Sequence, residues 1–293
     1  MVGLAGVVVR RLVRPEELEE AVEVHARAWG SRDYREVVAP HILRALSEHG
    51  GLVLGAFVEG KMVGASYGWV VCGERNRYFY SHATGVEEGH KYKGVGFALK
   101  LKQREEVLAM GIRLVKWTFD PLQSLNTRFN LGKLGAVYRE YHVNYYGEMT
   151  DEINRGLGSD RVKAEWWLDS RLVDLKVRGK LRPPPAEVLV REYGGEIALA
   201  HGGEGEKPGS ARVAVDSDIA LVALPRDIVR VRREVGIGAA AEWRRATRTV
   251  ITRLLSRGFV GVDYTRDSVG RGYVVLVKRR LDDILDARLP WAG

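Results

Sequence analysis

The sequence predicts a mixed α/β protein, α+β in kind, made of two units. The first is a twisted, mainly antiparallel sheet flanked by helices over residues 1–150, and the second is another α/β unit over 151–293. Three observations predict this. At 293 residues the chain is long for one compact domain, so two are expected. Short apolar runs of strand length alternate with segments of helical period. Glu59-Gly60-Lys61 joins two apolar runs, 52–58 and 62–71, as a hairpin turn would.

The elements follow in order. Residues 7–12 read as a first strand. Leu18, Ala21, Val22, His25 and Trp29 recur at helical spacing. Pro15 suits the first helical position, and Glu16 and Glu17 suit the positive end of the helix dipole. Residues 40–49 read as a short second helix. The hairpin comes next, then an aromatic-rich strand over 78–86. A glycine loop opens a helix over 95–110, with its apolar face read at Phe97, Ala98, Leu101 and Leu108. Gly111 ends that helix, and Asp120-Pro121 stops the strand over 112–119. A short helix over 126–134 and strands over 137–146 and 162–168 complete this part.

Pro183-Pro184-Pro185 is the best linker candidate. The glycine-rich stretch 201–205 reads as a surface loop. Beyond it come a strand (219–224), a helix (238–255) and two strands (259–264 and 273–277). Gly236 and Gly238 repeat a Gly-x-Gly spacing ahead of a helix. The second unit is therefore either a degenerate repeat of the first or an unrelated extension, and both readings stand.

Composition narrows the function classes. Hydrophobic residues are 45% and charged residues 29%, as in ordinary globular proteins. No segment approaches the roughly 18 consecutive apolar residues of a membrane span. The start is apolar and then basic, the reverse of a secretory signal, so a cytoplasmic location is expected. Cys72 is the only cysteine, so no disulfide framework is expected within the chain. It sits in an apolar run and reads as a buried structural thiol; no metal site is read. The net charge of +8 attracts anions, but without a long basic run no dedicated nucleic-acid arm is indicated.

The chemistry concentrates at Lys91-Tyr92-Lys93-Gly94-Val95-Gly96. The first turn of a helix leaves backbone N–H groups without helical partners, and the macrodipole adds positive charge there. Glycines let an anion approach that backbone, and Lys91 and Lys93 add charge. Residues 93–98, ending in Phe97 and Ala98, would hold a phosphate or pyrophosphate. No P-loop or dinucleotide fingerprint is present. Taken alone, an anion site and a plain tight turn stand level.

The same loop, with Lys91 in an Arg/Gln place, resembles the coenzyme A motif of the GNAT superfamily of N-acetyltransferases. The element order over residues 5–150 is also similar. The resemblance implies acetyl-CoA, or another acyl-CoA, as donor and an unidentified amine as acceptor. It implies that the fourth and fifth strands splay, so that the pantetheine arm pairs with the strand-four edge at Ala83, Thr84, Gly85 and Val86. Gly85 has an alternative reading as a bulge residue. A backbone amide near 84–86 would meet the thioester carbonyl. Lys133-Leu134-Gly135-Ala136 matches the end of the family helix after strand five. The tyrosine that serves there as acid to the leaving thiolate falls at Leu131, and the helix offers Asn126 and Asn130 instead. Tyr138, Tyr141, Tyr145 and Tyr146 are nearby in sequence.

Amine acylation needs a base to remove a proton from the acceptor. His82, on strand four, is the first candidate, with packing as its alternative role. Asp120, at the end of strand five, is the second, with the Asp-Pro turn as its alternative. Glu148 is a weaker third. Trp166 and Trp167 face opposite sides of a strand, one of them toward the core or an acceptor pocket. Trp243 reads as core. Arg10, Arg11, Arg14 and Arg27 read as solvated charge. The leading expectation is an acyl-CoA-dependent N-acetyltransferase. The alternatives are a non-catalytic acyl-CoA-binding or regulatory module, motivated by Leu131, and a nucleic-acid-associated protein, motivated by net charge alone.

Overall fold

A computed structural model describes residues 6–30, 37–73, 77–90, 94–148, 156–203 and 207–292. The chain divides into two compact units, one running to Trp117 and the other beginning at Thr118. The sequence expectation placed this boundary near 150.

In the first unit, β1 (Val7–Arg11) leads to α1 (Pro15–Trp29) and α2 (Pro40–Glu48). Proline stands at the start of both helices, where no N–H is needed. Gly30 closes α1 in the left-handed conformation. β2 (Gly51–Val58) and β3 (Lys61–Cys72) form the expected hairpin. Its two-residue turn has Glu59 at φ 49° and Gly60 at φ 80°, the positive pair that matches the twist of antiparallel strands. β4 (Arg77–Val86), α3 (Val95–Ala109) and β5 (Leu114–Phe119) follow, with β5 in this unit as far as Trp117. The strand order is β1-β2-β3-β4-β5. Every pair is antiparallel except β4–β5, which is parallel as the crossover through α3 requires. One core lies under α1 and α2, built from Leu12, Leu18, Ala21, Val24, Leu43, Val53, Met62, Ala65 and Tyr67.

The second unit opens with α4 (Ser124–Thr127), which runs on into a π-type turn at Arg128–Lys133. It continues through β6 (Val137–His142), β7 (Arg161–Trp167), α5 (Arg171–Val177), α6 (Ala186–Tyr193), β8 (Glu196–Gly202) and β9 (Lys207–Ala211). The last elements are β10 (Ile219–Leu224), α7 (Ile228–Arg230), α8 (Ile237–Ser256), β11 (Val260–Arg266), β12 (Gly272–Val277) and α9 (Leu281–Leu285). The strand order is β7-β6-β11-β12-β10-β8-β9. β10 and β12 are buried along their whole length, as strands covered on both faces are. Trp243 is fully buried on α8, as expected.

Three sequence expectations are corrected here. The proline triplet lies inside the second unit, where Pro185 precedes α6 and the Pro184 carbonyl accepts a hydrogen bond from Thr265. Cys72 is exposed at the end of β3. The strands flanking α3 are neighbours, whereas those flanking α8, β10 and β11, are separated by β12. That difference in strand order favours an unrelated extension over a repeat. Among the described residues no helix is long and apolar enough to cross a membrane.

Candidate acyl-donor edge and its surroundings

β4 and β5 pair only at Phe79↔Val115 and Tyr80↔Lys116. Beyond that point β4 continues to Val86, paired among the described residues with β3 alone. The edge of Ala83, Thr84, Gly85 and Val86 therefore has no register partner on β5. A bulge accompanies this divergence. Tyr67 pairs with Ala83 and Gly68 with Ser81, which leaves His82 as the extra residue. Bulges bend a strand, increase its twist and re-aim its side chains. Gly68 makes this one possible: a Cβ there would stand 2.3 Å from the Tyr80 carbonyl oxygen and 2.6 Å from the Phe79 ring. Gly85 is not the bulge. It lets α1 approach, since its Cβ would lie 3.0 Å from both Ala28 Cβ and His25 Nδ1.

The bulge gives the two faces of β4 different chemistry. On the α1 face, His82 is exposed on one side. Its ring stands 5.3 Å from Tyr67, 5.3 Å from Trp69 and 6.0 Å from Tyr80. Desolvation among these rings holds its pKa below the usual histidine value, so it is mainly neutral at pH 7. His25 lies behind it, 5% exposed and edge-on to Tyr67 at 5.3 Å. Among the described residues neither His25 ring nitrogen has a hydrogen-bond partner. Burial, with a smaller contribution from the charge of His82, pulls its pKa down to about 4.

On the α3 face, Ser81 joins a buried polar group. Lys100 Nζ donates to Ser81 Oγ at 2.8 Å and to Gln103 Oε1 at 3.0 Å. It also lies 4.2 Å from the centroid of the Trp117 ring. Gln103 Nε2 reaches Ser66 Oγ at 3.5 Å, and Ser66 shares a 2.9 Å hydrogen bond with Thr84. Burial pushes the Lys100 pKa down to about 7. The expected apolar face of α3 is thus corrected: the buried positions are Val95, Phe97, Leu99, Lys100, Gln103 and Val107. Leu101 and Leu108 are only half-buried.

The anion site expected from the sequence falls at the start of α3. Gly94 precedes the helix at φ 89°, a conformation that favours glycine. No side chain caps this helix, and no acidic residue lies in its first turn. Gly96 is informative. Its φ is not positive, and a Cβ there would meet only Val86 Cγ2, at 3.7 Å, among the described residues. Among the described residues neither backbone nor packing requires glycine, although glycine within a helix costs about 1 kcal/mol relative to alanine. Lys91, Tyr92 and Lys93 lie outside the described residues.

Other expected site residues belong to the second unit. Asp120 is 6% exposed and clamped by Arg244, with Nη1–Oδ1 at 2.7 Å and Nη2–Oδ2 at 2.6 Å. It also accepts the Leu122 N–H at 2.9 Å. Both oxygens are engaged, so the turn-and-pairing role holds and the expectation of a base at Asp120 is corrected. Asn126 is exposed, while Asn130 is buried and its carbonyl accepts from the Ala136 N–H. Leu131 is fully buried. Of the nearby tyrosines, Tyr138 is buried against Gly261, and burial raises its pKa. Tyr141 donates to Asp160 at 2.6 Å, and Arg248 holds that same carboxylate. Tyr146 shares a 2.9 Å hydrogen bond with Thr118, and Tyr145 is exposed. Trp166 is the core member of its pair, donating to the Leu134 carbonyl at 2.8 Å.

The N-terminal arginines are ion-paired, not merely solvated. Arg10 and Arg14 converge on the 5%-exposed Glu17 at 2.6 and 2.7 Å, Arg11 reaches Glu106, and Arg27 reaches Glu87.

No protein-family model matches the chain, and no curated protein does. Similar solved structures include an acetyltransferase of the GNAT family from Streptococcus pneumoniae, at 16% identity and TM-score 0.45 over 54% of this chain and 98% of that one. The ribosomal-protein-S18-alanine N-acetyltransferase from Escherichia coli is similar at 16% identity and TM-score 0.44, covering 54% and 92%. An aminoglycoside acetyltransferase from an uncultured soil metagenomic sample is similar at 15% identity and TM-score 0.38, covering 41% and 82%.

Proposed function

We propose that the first unit binds an acyl-CoA along the free edge of β4 and that the protein transfers its acyl group to an amine. One observation carries this reading. Among the described residues the start of α3 is uncapped and lies beside Val86, at the far end of the β4 stretch that has left β5, and it holds a glycine, Gly96, for which the described surroundings give no need. An anion approaching that turn supplies the missing reason for the glycine. The N–H groups of residues 94–97 would hold the pyrophosphate, the Ala98 N–H being engaged by the Gly94 carbonyl. The unpaired edge at residues 83–86 would hold the pantetheine amides as an added strand would be held. Acyl-CoA supplies an activated acyl group when bound.

The chain's residues do the rest. His82 lies on the α1 face of the bulge, accessible and mainly neutral at pH 7, and takes a proton from the acceptor ammonium. A β4 edge amide donates to the thioester oxygen as negative charge grows there. The Tyr67, Trp69 and Tyr80 rings beside His82 give the acceptor site an apolar wall, which suits an amine on an apolar or aromatic carrier. The test is release of free CoA thiol from acetyl-CoA in the presence of a panel of amines. Release that depends on an amine and is lost in His82→Ala supports transfer.

Leu131, fully buried, favours a second reading in which acyl-CoA is bound but not turned over. Acetyl-CoA binding without thiol release across the whole panel would select that reading.

A further inference from the structure

We propose that Lys100 is a catalytic proton donor at the closed end of the β4–β5 wedge, delivering its proton to the sulfur of the departing CoA thiolate. This rests on the acyl-CoA reading above.

Placement is the first argument. The β4–β5 ladder ends at Tyr80 and Lys116, so Ser81 and Trp117 are the next residues along each strand. Lys100 Nζ touches both, at 2.8 Å from Ser81 Oγ and 4.2 Å from the Trp117 ring centroid. The Lys100 amine nitrogen thus sits at the vertex. At the open end, Val86 lies beside Gly96 in the first turn of α3. Val86 and Ser81 pair with Gly64 and Gly68 on β3, four residue steps apart, so about 13 Å of strand separates them. That span is comparable to an extended pantetheine arm. With its pyrophosphate on the α3 turn and its arm along β4, CoA would bring its sulfur to the vertex.

Charge is the second argument. Lys100 is 4% exposed, and lysine is seldom buried so fully without a counterion. The groups around Nζ are Ser81 on β4, Gln103 on its own helix, Trp117 on β5 and, behind Gln103, Ser66 on β3. Lys116 is turned away, over the Tyr78 ring, and Lys102 pairs with Glu105 and Glu106. Among the described residues no carboxylate pairs with Lys100. A thiolate at the vertex would be its counterion. Burial has already moved Lys100 toward the acidity that such a donor needs. It also fills the role that buried Leu131 cannot perform.

The step balances. The acceptor ammonium gives one proton to His82, which passes it to solvent; the amine nitrogen then bonds to the acyl carbon and gives its second proton to His82 as the amide forms. The carbon–sulfur bond breaks and its electron pair leaves on sulfur. Lys100 gives that sulfur a proton and becomes a neutral amine, His82 releases its proton to solvent, and Lys100 takes one back. Ser81 and Gln103 hold the amine in place.

The test is a titration of the thiol of CoA bound to the whole protein, read by ultraviolet thiolate absorbance with desulfo-CoA as the blank. Bound to the wild type, the thiol should titrate about one unit or more below free CoA, the direction in which a neighbouring lysine moves a thiol. In Lys100→Met and Lys100→Gln it should return to the free value or above, with the CoA-induced thermal shift retained. With acetyl-CoA and an amine that turns over, these variants should lower kcat about 100-fold with little change in KM. A wild-type bound thiol that titrates no lower than free CoA overturns the proposal, and this arm stands even if both variants fail to fold. A thermal shift absent from the wild type overturns the acyl-CoA reading itself, a different result from binding with an unshifted thiol.

Discussion

Replacing Gly96 with alanine should move two properties in opposite directions. A Cβ at this position would have ordinary contact with Val86 Cγ2 at 3.7 Å, and φ is not positive. The apo protein should therefore accept alanine without strain. Reduced freedom of the unfolded chain and better helix propensity should then stabilise it by about 0.5 kcal/mol. On a chain of this size that is a rise of about 1–2 °C in Tm. In the proposed binding mode the same methyl group stands where the pyrophosphate would approach the backbone. A tenfold loss of affinity would remove about 1.4 kcal/mol of ligand-induced stabilisation. For the wild type at a CoA concentration of about 100 Kd, that stabilisation is about 2.7 kcal/mol. Thermal unfolding with and without CoA measures both effects in one experiment. The variant should melt higher than wild type without CoA and lower with it. Gly96→Val should amplify the second effect. A Gly96→Ala protein that keeps the full CoA shift would show that the ligand does not use this turn. One that is destabilised without ligand would show that the glycine serves the fold.

Three further outcomes follow from the same geometry. His82→Ala should lower kcat by about two orders of magnitude with an unchanged CoA-induced thermal shift. In the wild type, kcat/KM should rise with pH through a pKa below the usual histidine value, because the neutral ring is the active form; a profile flat from pH 5 to 8 would return His82 to a packing role. Gly68→Ala should destabilise by about 1–3 kcal/mol in chemical denaturation, since its methyl group overlaps the Tyr80 carbonyl and the Phe79 ring; a neutral result would mean the bulge is not held by that approach. Asp120→Asn should cost about 3–5 kcal/mol by leaving Arg244 buried without its carboxylate, while the folded fraction turns over at the wild-type rate; a rate loss without a stability loss would restore Asp120 as a base.

Most of the first unit was legible because its signals are local. Pro15 and Gly30 bracket α1, and Glu59-Gly60 can hardly join two strands in any other way. The glycine loop was legible for the same reason. The bulge was not, because nothing local marks His82 as the extra residue; the register of β3 against β4 decides it. Nor was Lys100 legible. Reading α3 by its apolar residues pointed to Leu101 and Leu108, whereas the buried face runs through Lys100 and Gln103. The polar network that joins Lys100 and Gln103 to Ser81, Ser66 and Thr84 has no periodic signature, because its members come from three separate elements, α3, β4 and β3. Asp120 failed as a base for a similar reason: its partner, Arg244, is 124 residues away. In the second unit the apolar runs were found at β10, α8 and β12. Their order was not, since the sequence does not say that β12 lies between β10 and β11.

Amide hydrogen exchange of the wild-type protein with and without CoA tests the central claim most directly. Binding along the β4 edge, with the pyrophosphate on the first turn of α3, should slow exchange in residues 82–86 and 94–98. The β1–β2 region and β10–β12 should exchange unchanged. Protection confined to other segments, or no change anywhere at millimolar CoA, would contradict the account.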